Sequence, residues 1–306
     1  MQRVINKHYE SEHLAISLPA SITNFGPAFD TLGMALNLRN VFLCQRSSYY
    51  KIYAFEHSLD GDIFYEAYKK ASEKFGSFNK IKVEAINKIP PCSGLGSSAT
   101  AIIAGILAAA FFNGINYRNY YDEILKLAYE IEGHYDNLLP CLFGNLVSVM
   151  NQPFNYDIYK ECPYNVFIFL PNLRTKTSEA RKALPDLYKI DDVLYNLQRA
   201  ISIIEALKQG NTKKLFELVK DKIHQPYRLA LHNTSILEEA INASSLPCFL
   251  SGSGPAIAIL YNKKRRKERI LIEKTKNDIA SILKKLPSGF RTFDLRMARK
   301  GVIMIK

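Results

Sequence analysis

Gly94-Leu95-Gly96-Ser97-Ser98 stands directly before Ala99–Phe112, an apolar run that reads as a helix. At a helix N-terminus the first four backbone N–H groups lack intrahelical partners, and the macrodipole adds partial positive charge. Glycines remove the Cβ atoms that would hold a phosphate off the backbone. The two hydroxyls can contact a phosphate and its magnesium. The same residues equally fit a serine-capped helix after a tight turn. Ala99 follows the serines where a Walker A loop needs its Lys-Ser/Thr pair, and the spacing and acidic partner of a dinucleotide fingerprint are missing.

Glu132-Gly133-His134-Tyr135-Asp136-Asn137 puts two carboxylates, an imidazole and an amide within six residues. Such groups are costly to bury unless they serve one another or a ligand. Apolar Leu138–Phe143 follows at once and implies a partly buried segment. A carboxylate here could hold magnesium, a hard ion that takes oxygen ligands and keeps several waters; the plainer alternative is a solvated helix end. Pro19–Asp30 (PASITNFGPAFD) concentrates Ser, Thr, Asn and Asp between two strand-like segments, so its polar groups face either solvent or a cleft. Ser251-Gly252-Ser253-Gly254-Pro255 interrupts an apolar strand pattern and marks a hairpin turn, a bulge or a close backbone approach.

These residues need a frame. Leu14–Leu18 reads as a strand leading into a loop over Pro19–Gly26. Asp62–Phe75 carries Ile63, Ala67, Ala71 and Phe75 at fourfold spacing, an amphipathic helix, and Ile81–Ile86 alternates like a half-buried strand. Tyr120–Glu132 reads as helical and Leu142–Met150 as extended. Beyond Pro153 the pattern restarts with a strand at Val166–Leu170 and helices at Val193–Lys208 and Thr212–Asp221. A strand at Pro247–Tyr261 broken by SGSG, a helix at Ile270–Leu286, and strands at Thr292–Met297 and Gly301–Ile305 complete it. Strands and helices mix without strict βαβ alternation, which predicts an α+β fold. The expected division is between about 150 and 160, separating 1–155 from 156–306.

The 306 residues are 47% hydrophobic and 23% charged, too apolar for disorder and enough for a core without staples. Five scattered cysteines, none in C-x-x-C spacing, argue against a disulfide framework or zinc knuckle and for a reducing cytoplasm. The opening MQRVINKHYESEH has no apolar core of a secretory signal. The longest apolar run, Ala99–Phe112, falls short of the roughly 20 residues a membrane span needs. The expectation is a cytoplasmic protein without a membrane partner. A net charge of +12 invites polyanions, and Lys263–Arg269 (KKRRKER) holds six basic residues. Neither aromatic interleaving nor zinc-finger spacing accompanies it, so a solvated loop and first helical turn are expected, and no nucleic-acid partner.

Together the motifs resemble the GHMP kinase superfamily, whose glycine-serine loop matches PPCSGLGSSAT. Within it, PASITNFGPAFDTLGMAL, EGHYDNLLPCLFGNL, HQPYR at 224–228 and LSGSGPAIAIL at 250–260 resemble the homoserine kinase family, in order and over nearly the whole chain. The resemblance implies a two-domain GHMP kinase fold, with an N-terminal ribosomal-protein-S5-domain-2-like domain and a C-terminal ferredoxin-like domain flanking the active site. It implies ATP-dependent phosphorylation of the side-chain hydroxyl of L-homoserine, a step toward threonine. A homodimer is compatible with the sequence.

By the same resemblance Pro91, Cys92, Ser93, Gly94, Leu95, Gly96, Ser97 and Ser98 would cradle the phosphates of ATP. Ser98 and Glu132 would serve Mg2+, with Glu130 as the alternative ligand. Asn24, Asp30, His134, Arg181 and Arg228 would bind homoserine, the arginines on its carboxylate. Asp136 and Asn137 would orient the reacting hydroxyl, whose proton passes to a phosphate oxygen. Pro19–Asp30 contains no lysine, which disfavours the lysine-assisted base of some superfamily members. Ala28 stands where the family usually has glycine, and Asn145 interrupts a customary Gly-Gly pair. The competing readings are a mevalonate- or diphosphocytidyl-methylerythritol-type kinase, a catalytically dead homologue acting as a sensor, and an RNA-binding protein of S5-like fold.

Overall fold

The computed structural model describes residues 13–55, 63–232 and 234–305. The polar opening segment and Asp62, the expected first residue of a helix, lie outside them.

The first half of the chain builds one large sheet under a layer of helices. Strands β1 (His13–Thr23) and β2 (Leu32–Arg46) form a long antiparallel pair, followed by β3 (Lys51–Phe55). The strand β1 runs five residues past the expected Leu18, through a register shift at Pro19/Ala20, so Pro19–Thr23 is strand and not loop. Helix α1 (Ile63–Phe75) and β4 (Ile81–Ile86) follow; β4 lies antiparallel to β2 and parallel to β3. Helix α2 (Ser97–Phe112) is buried on nearly every side, as its lack of polar residues requires. Its Gly105 lets the backbone of Phe64 in α1 approach closely. Helix α3 (Tyr121–Glu132) packs beside it.

Leu142–Met150 is not one extended segment. Leu138–Phe143 closes a short helix, α4, that ends at Gly144, and β5 (Leu146–Asn151) pairs with β2 and with β6 (Phe154–Tyr159). Asn145 adopts a left-handed backbone (φ 63°), a conformation asparagine accepts, and its amide donates to Arg299 O at 3.1 Å. Ala28 has no such backbone demand; its N–H closes a turn on Asn24 O at 2.9 Å.

The second sheet consists of β7 (Asn165–Pro171), β8 (Cys248–Leu250), β9 (Ile257–Tyr261) and β10 (Phe290–Arg296), in the spatial order β10-β7-β9-β8 and wholly antiparallel. That order is the ferredoxin-like arrangement. Five helices lie between β7 and β8: α5 (Thr177–Lys182), α6 (Ile190–Gln209), α7 (Thr212–Leu218), α8 (Gln225–Ala230) and α9 (Ile236–Asn242). Helix α10 (Arg266–Leu283) joins β9 to β10, so the basic run forms an exposed turn and the first turn of a helix. The SGSG stretch is the turn of the β8–β9 hairpin. A last strand, β11 (Ile303–Ile305), returns to the edge of β1. The changeover between sheets falls between Tyr159 and Asn165, just past residue 155, and both ends of the chain contribute to the first sheet. Among the described residues no helix is long and apolar enough to cross a membrane.

Candidate active site

The N-cap of α2 is Gly96, left-handed at φ 73° and ψ 29°, with no side chain to offer the helix. This excludes the serine-capped alternative: Ser97 Oγ donates to Ile89 O (3.1 Å) and Ser98 Oγ to Glu132 Oε1 (2.7 Å). The preceding loop is held by its carbonyls. Those of Cys92, Ser93 and Leu95 accept from the N–H groups of Thr175 (3.2 Å), Ala256 (3.2 Å) and Ser21 (3.0 Å). That of Gly94 accepts from Ser251 Oγ (2.6 Å). In a trans peptide the carbonyl and the following N–H point opposite ways, so the amides of Ser93 to Gly96 turn away from this scaffold toward the open side.

That side is a cavity of about 570 Å³ lined by Pro91, Cys92, Ser93, Gly94, Gly96, Ser97 and Ser98. Leu95 contributes only backbone, since its side chain is buried in the core between the sheets. A Cβ on Gly96 would strike Ser21 Oγ and Asn137 Oδ1, and one on Gly94 would strike Ser251 O.

The same cavity is lined by Glu132, His134, Asp136 and Asn137, delivered by the end of α3 and the start of α4. His134 Nδ1 bonds Asp136 Oδ1 at 2.5 Å, and its Nε2 lies 3.8 Å from Glu132. Burial alone would lower the His134 pKa, but Asp136, Glu132 and Asp30 overcome it and raise it to about 9. Burial likewise opposes ionisation of Asp136, yet the imidazolium wins and holds that carboxyl below the usual range. Glu132, desolvated and near Asp136, is raised. Asn137 accepts from Ser21 Oγ at 2.7 Å, which fixes it over Gly96. Glu130 points elsewhere, onto Lys70 at 2.8 Å, and does not line the cavity.

Both arginines reach this space, but differently. Arg181 of α5 pairs with Asp30 at 2.9 Å, so the structure joins two residues the sequence assigned to opposite ends of one ligand. Arg228 of α8 is 3% exposed, donates to Gly252 O at 2.7 Å, and leaves its Nε without a partner. Among the described residues no carboxylate stands within ion-pair distance of it. The ring of Phe29 lies beneath both guanidinium groups, 4.8 Å from Arg228 and 5.8 Å from Arg181. Asn24 lines the cavity, yet its amide is already engaged by Asp30 N–H (3.1 Å) and Gly252 O (3.2 Å). Its φ of 73° and Asp30's of 56° show that this loop is held in a strained form.

Sequence reasoning missed three groups here. Asp221 accepts from the N–H groups of Ile223, His224 and Gln225 and from Asn196 Nδ2, and so fixes the start of α8. His224 stacks on Phe29 and bonds Gly26 O at 2.7 Å. Thr175, Lys176, Thr177 and Ser178 face the phosphate loop across the cavity. The His-Gln-Pro motif held the only local hint, a proline early in a helix.

The donors present fit a magnesium ion. Ser98 Oγ and the buried Glu132 carboxylate are adjacent oxygen ligands, and the raised Glu132 pKa marks a negative charge short of a counterion. No cage of three His, Cys, Asp or Glu exists among the described residues. Magnesium needs none, since it is held by one or two carboxylates together with phosphates and water.

Comparison with known proteins agrees with this layout. The GHMP kinases N terminal domain matches residues 62–145 and the GHMP kinases C terminal domain residues 203–286. A crystal structure of homoserine kinase from Cytophaga hutchinsonii superposes with a TM-score of 0.80 at 22% identity, covering 98% of this chain and 99% of that one. Mevalonate kinase of Methanococcus jannaschii shares the fold at a TM-score of 0.64 and 19% identity, covering 94% and 99%. Fold and phosphate loop together define a GHMP-type kinase. Homoserine kinase of Aquifex aeolicus is 36% identical over 268 residues, 83% of this chain and 89% of its own. That of Clostridium acetobutylicum is 33% identical over 95% of this chain and 100% of its own. The chain belongs to the homoserine kinase family.

Proposed function

We propose that this chain transfers the γ-phosphoryl group of ATP to the side-chain hydroxyl of L-homoserine, giving O-phospho-L-homoserine on the route to threonine. The observation that carries this reading is Arg228: a buried guanidinium without a carboxylate partner, facing the same cavity as an uncapped helix N-terminus. One element awaits an anionic tail and the other a carboxylate. Family membership supplies the acceptor.

Phosphoryl transfer asks for positioning and charge neutralisation more than for covalent chemistry. The amides of Ser93 to Gly96 and the first turn of α2 hold the phosphates. Mg2+, bound by Ser98 and Glu132, would neutralise phosphate charge. Arg228 grips the substrate carboxylate while Arg181, tethered by Asp30, closes over it. Asp30 and His134 meet the amino end and the chain, and Asn24 serves by holding Asp30 and Gly252. Asp136, clamped by an imidazolium and kept ionised, is a weak base. It and Asn137 orient the hydroxyl, whose proton passes to a phosphate oxygen. With no lysine in Pro19–Asp30, Lys176 is the lysine that lines the cavity, and it supplies positive charge opposite the phosphate loop. The unit 1–155 carries the nucleotide loop, and 156–306 carries both arginines.

An ADP-release assay over a panel of hydroxyl acceptors tests this. Homoserine should be preferred; preference for mevalonate or a diphosphocytidyl alcohol, or turnover of none, refutes the assignment. The basic surface does not favour an RNA reading, since no residue of Lys263–Arg269 lines the cavity.

A further inference from the structure

Helix α6 leaves a row of large aliphatic side chains in water. Ile190, Leu194, Leu197 and Ile201 are 69%, 47%, 53% and 81% exposed, and Leu187 just ahead of the helix is 88% exposed. Their spacing of four, three and four residues continues through Ile204 and Lys208, which is the seam of a two-helix coiled coil. The opposite face of α6 is already used: Asn196, Ile203, Ala206 and Leu207 are buried against their own subunit. A contiguous exposed apolar patch of this kind marks an association surface.

We propose that this face joins two copies of the chain, their α6 helices antiparallel about a two-fold axis near Arg199. A second copy fits because the stripe is self-complementary. That register sets Leu194 against the partner's Ile204 and Leu197 against the partner's Ile201, while Ile190 lies along the stem of the partner's Lys208. Antiparallel dipoles attract. The charge pattern agrees. Acidic Asp191 opens the helix and Lys208 closes it, so each end places Asp191 beside the partner's Lys208, with Glu205 on Lys208's far side at 3.6 Å. Between those ends the single charge on α6 before Glu205, Arg199, is folded onto the Tyr195 ring 3.2 Å away and off the stripe. An uncharged centre with charged ends is the anatomy of a subunit contact. A C2 pair built on one patch is the commonest closed assembly.

Sedimentation velocity of the full chain at micromolar concentration tests this. The unaltered protein should sediment as a dimer. Leu197→Asp and Ile201→Asp should weaken the dimer at least about tenfold, from the apolar burial each forfeits, with circular dichroism and melting temperature showing an intact fold. Leu197→Ser is the milder variant if an aspartate unfolds the chain. Asp191→Lys and Lys208→Asp should each weaken association, and the double exchange should restore it. A monomer at all concentrations, as a foreign partner for this face would leave it, overturns the proposal. So does a dimer indifferent to substitutions in the stripe. Failure of the double exchange to restore association overturns the antiparallel register.

Discussion

Arg228→Ala removes a charge whose natural partner is a ligand, whereas Arg181→Ala also releases Asp30 into the cavity. A hydrogen bond to a charged group is worth about 1.5–3 kcal/mol, so Arg228→Ala should raise the homoserine KM roughly 10–100-fold with little change in the ATP KM. A wild-type-like homoserine KM in this variant would discredit the pocket. Ser98→Ala and Glu132→Ala should instead lower kcat through lost metal placement, read in steady-state kinetics. If Asp136→Asn loses kcat far beyond any effect on KM, Asp136 is a general base and the direct proton route is wrong. At this scale the motifs were legible because chemistry fixes residue types. The engagement of Asn24 and the Asp30–Arg181 pair were not, because both depend on partners 228 and 151 positions away in the chain.

Helices α5 and α8 are six residues each, too short to hold their shape alone, and each carries an arginine of the site. Asp221 organises α8 by accepting three successive backbone N–H groups and an amide. Asp221→Ala should cost about 2 kcal/mol of stability, the upper range for a lost cap, measurable by urea denaturation. Because α8 places Arg228, the homoserine KM should rise while the ATP KM stays put. Lys176→Ala, at the head of α5, should do the reverse, weakening ATP while homoserine is unaffected; isothermal titration with each ligand separates the two. Short helices escape periodicity analysis, since one and a half turns hold too few apolar positions to set a period. α4 was absorbed into an apparent strand for the same reason.

The two sheets meet at the phosphate loop, pinned on one side by Ser21 and on the other by Thr175, Ser251 and Ala256. The cavity therefore belongs to neither half. Its charge sets the pH response of the whole molecule. His134 keeps its proton up to about 9, above the roughly 6.5 of an unfolded histidine. Its contribution to stability is complete below that lower value and is lost as pH rises through about 9. Melting temperature followed from pH 7 to pH 10 should fall for the wild type, with that alkaline slope absent in His134→Gln. The sequence alone determined the reaction class and the α+β architecture, because glycine loops, apolar periods and clustered polar groups are local patterns. Only the tertiary structure decided that Gly96 and not a serine begins α2, that Glu132 and not Glu130 faces the cavity, and that Arg228 waits unpaired. Each of those is a question of what stands opposite a residue in space, and burial and long-range partners are properties of the folded chain.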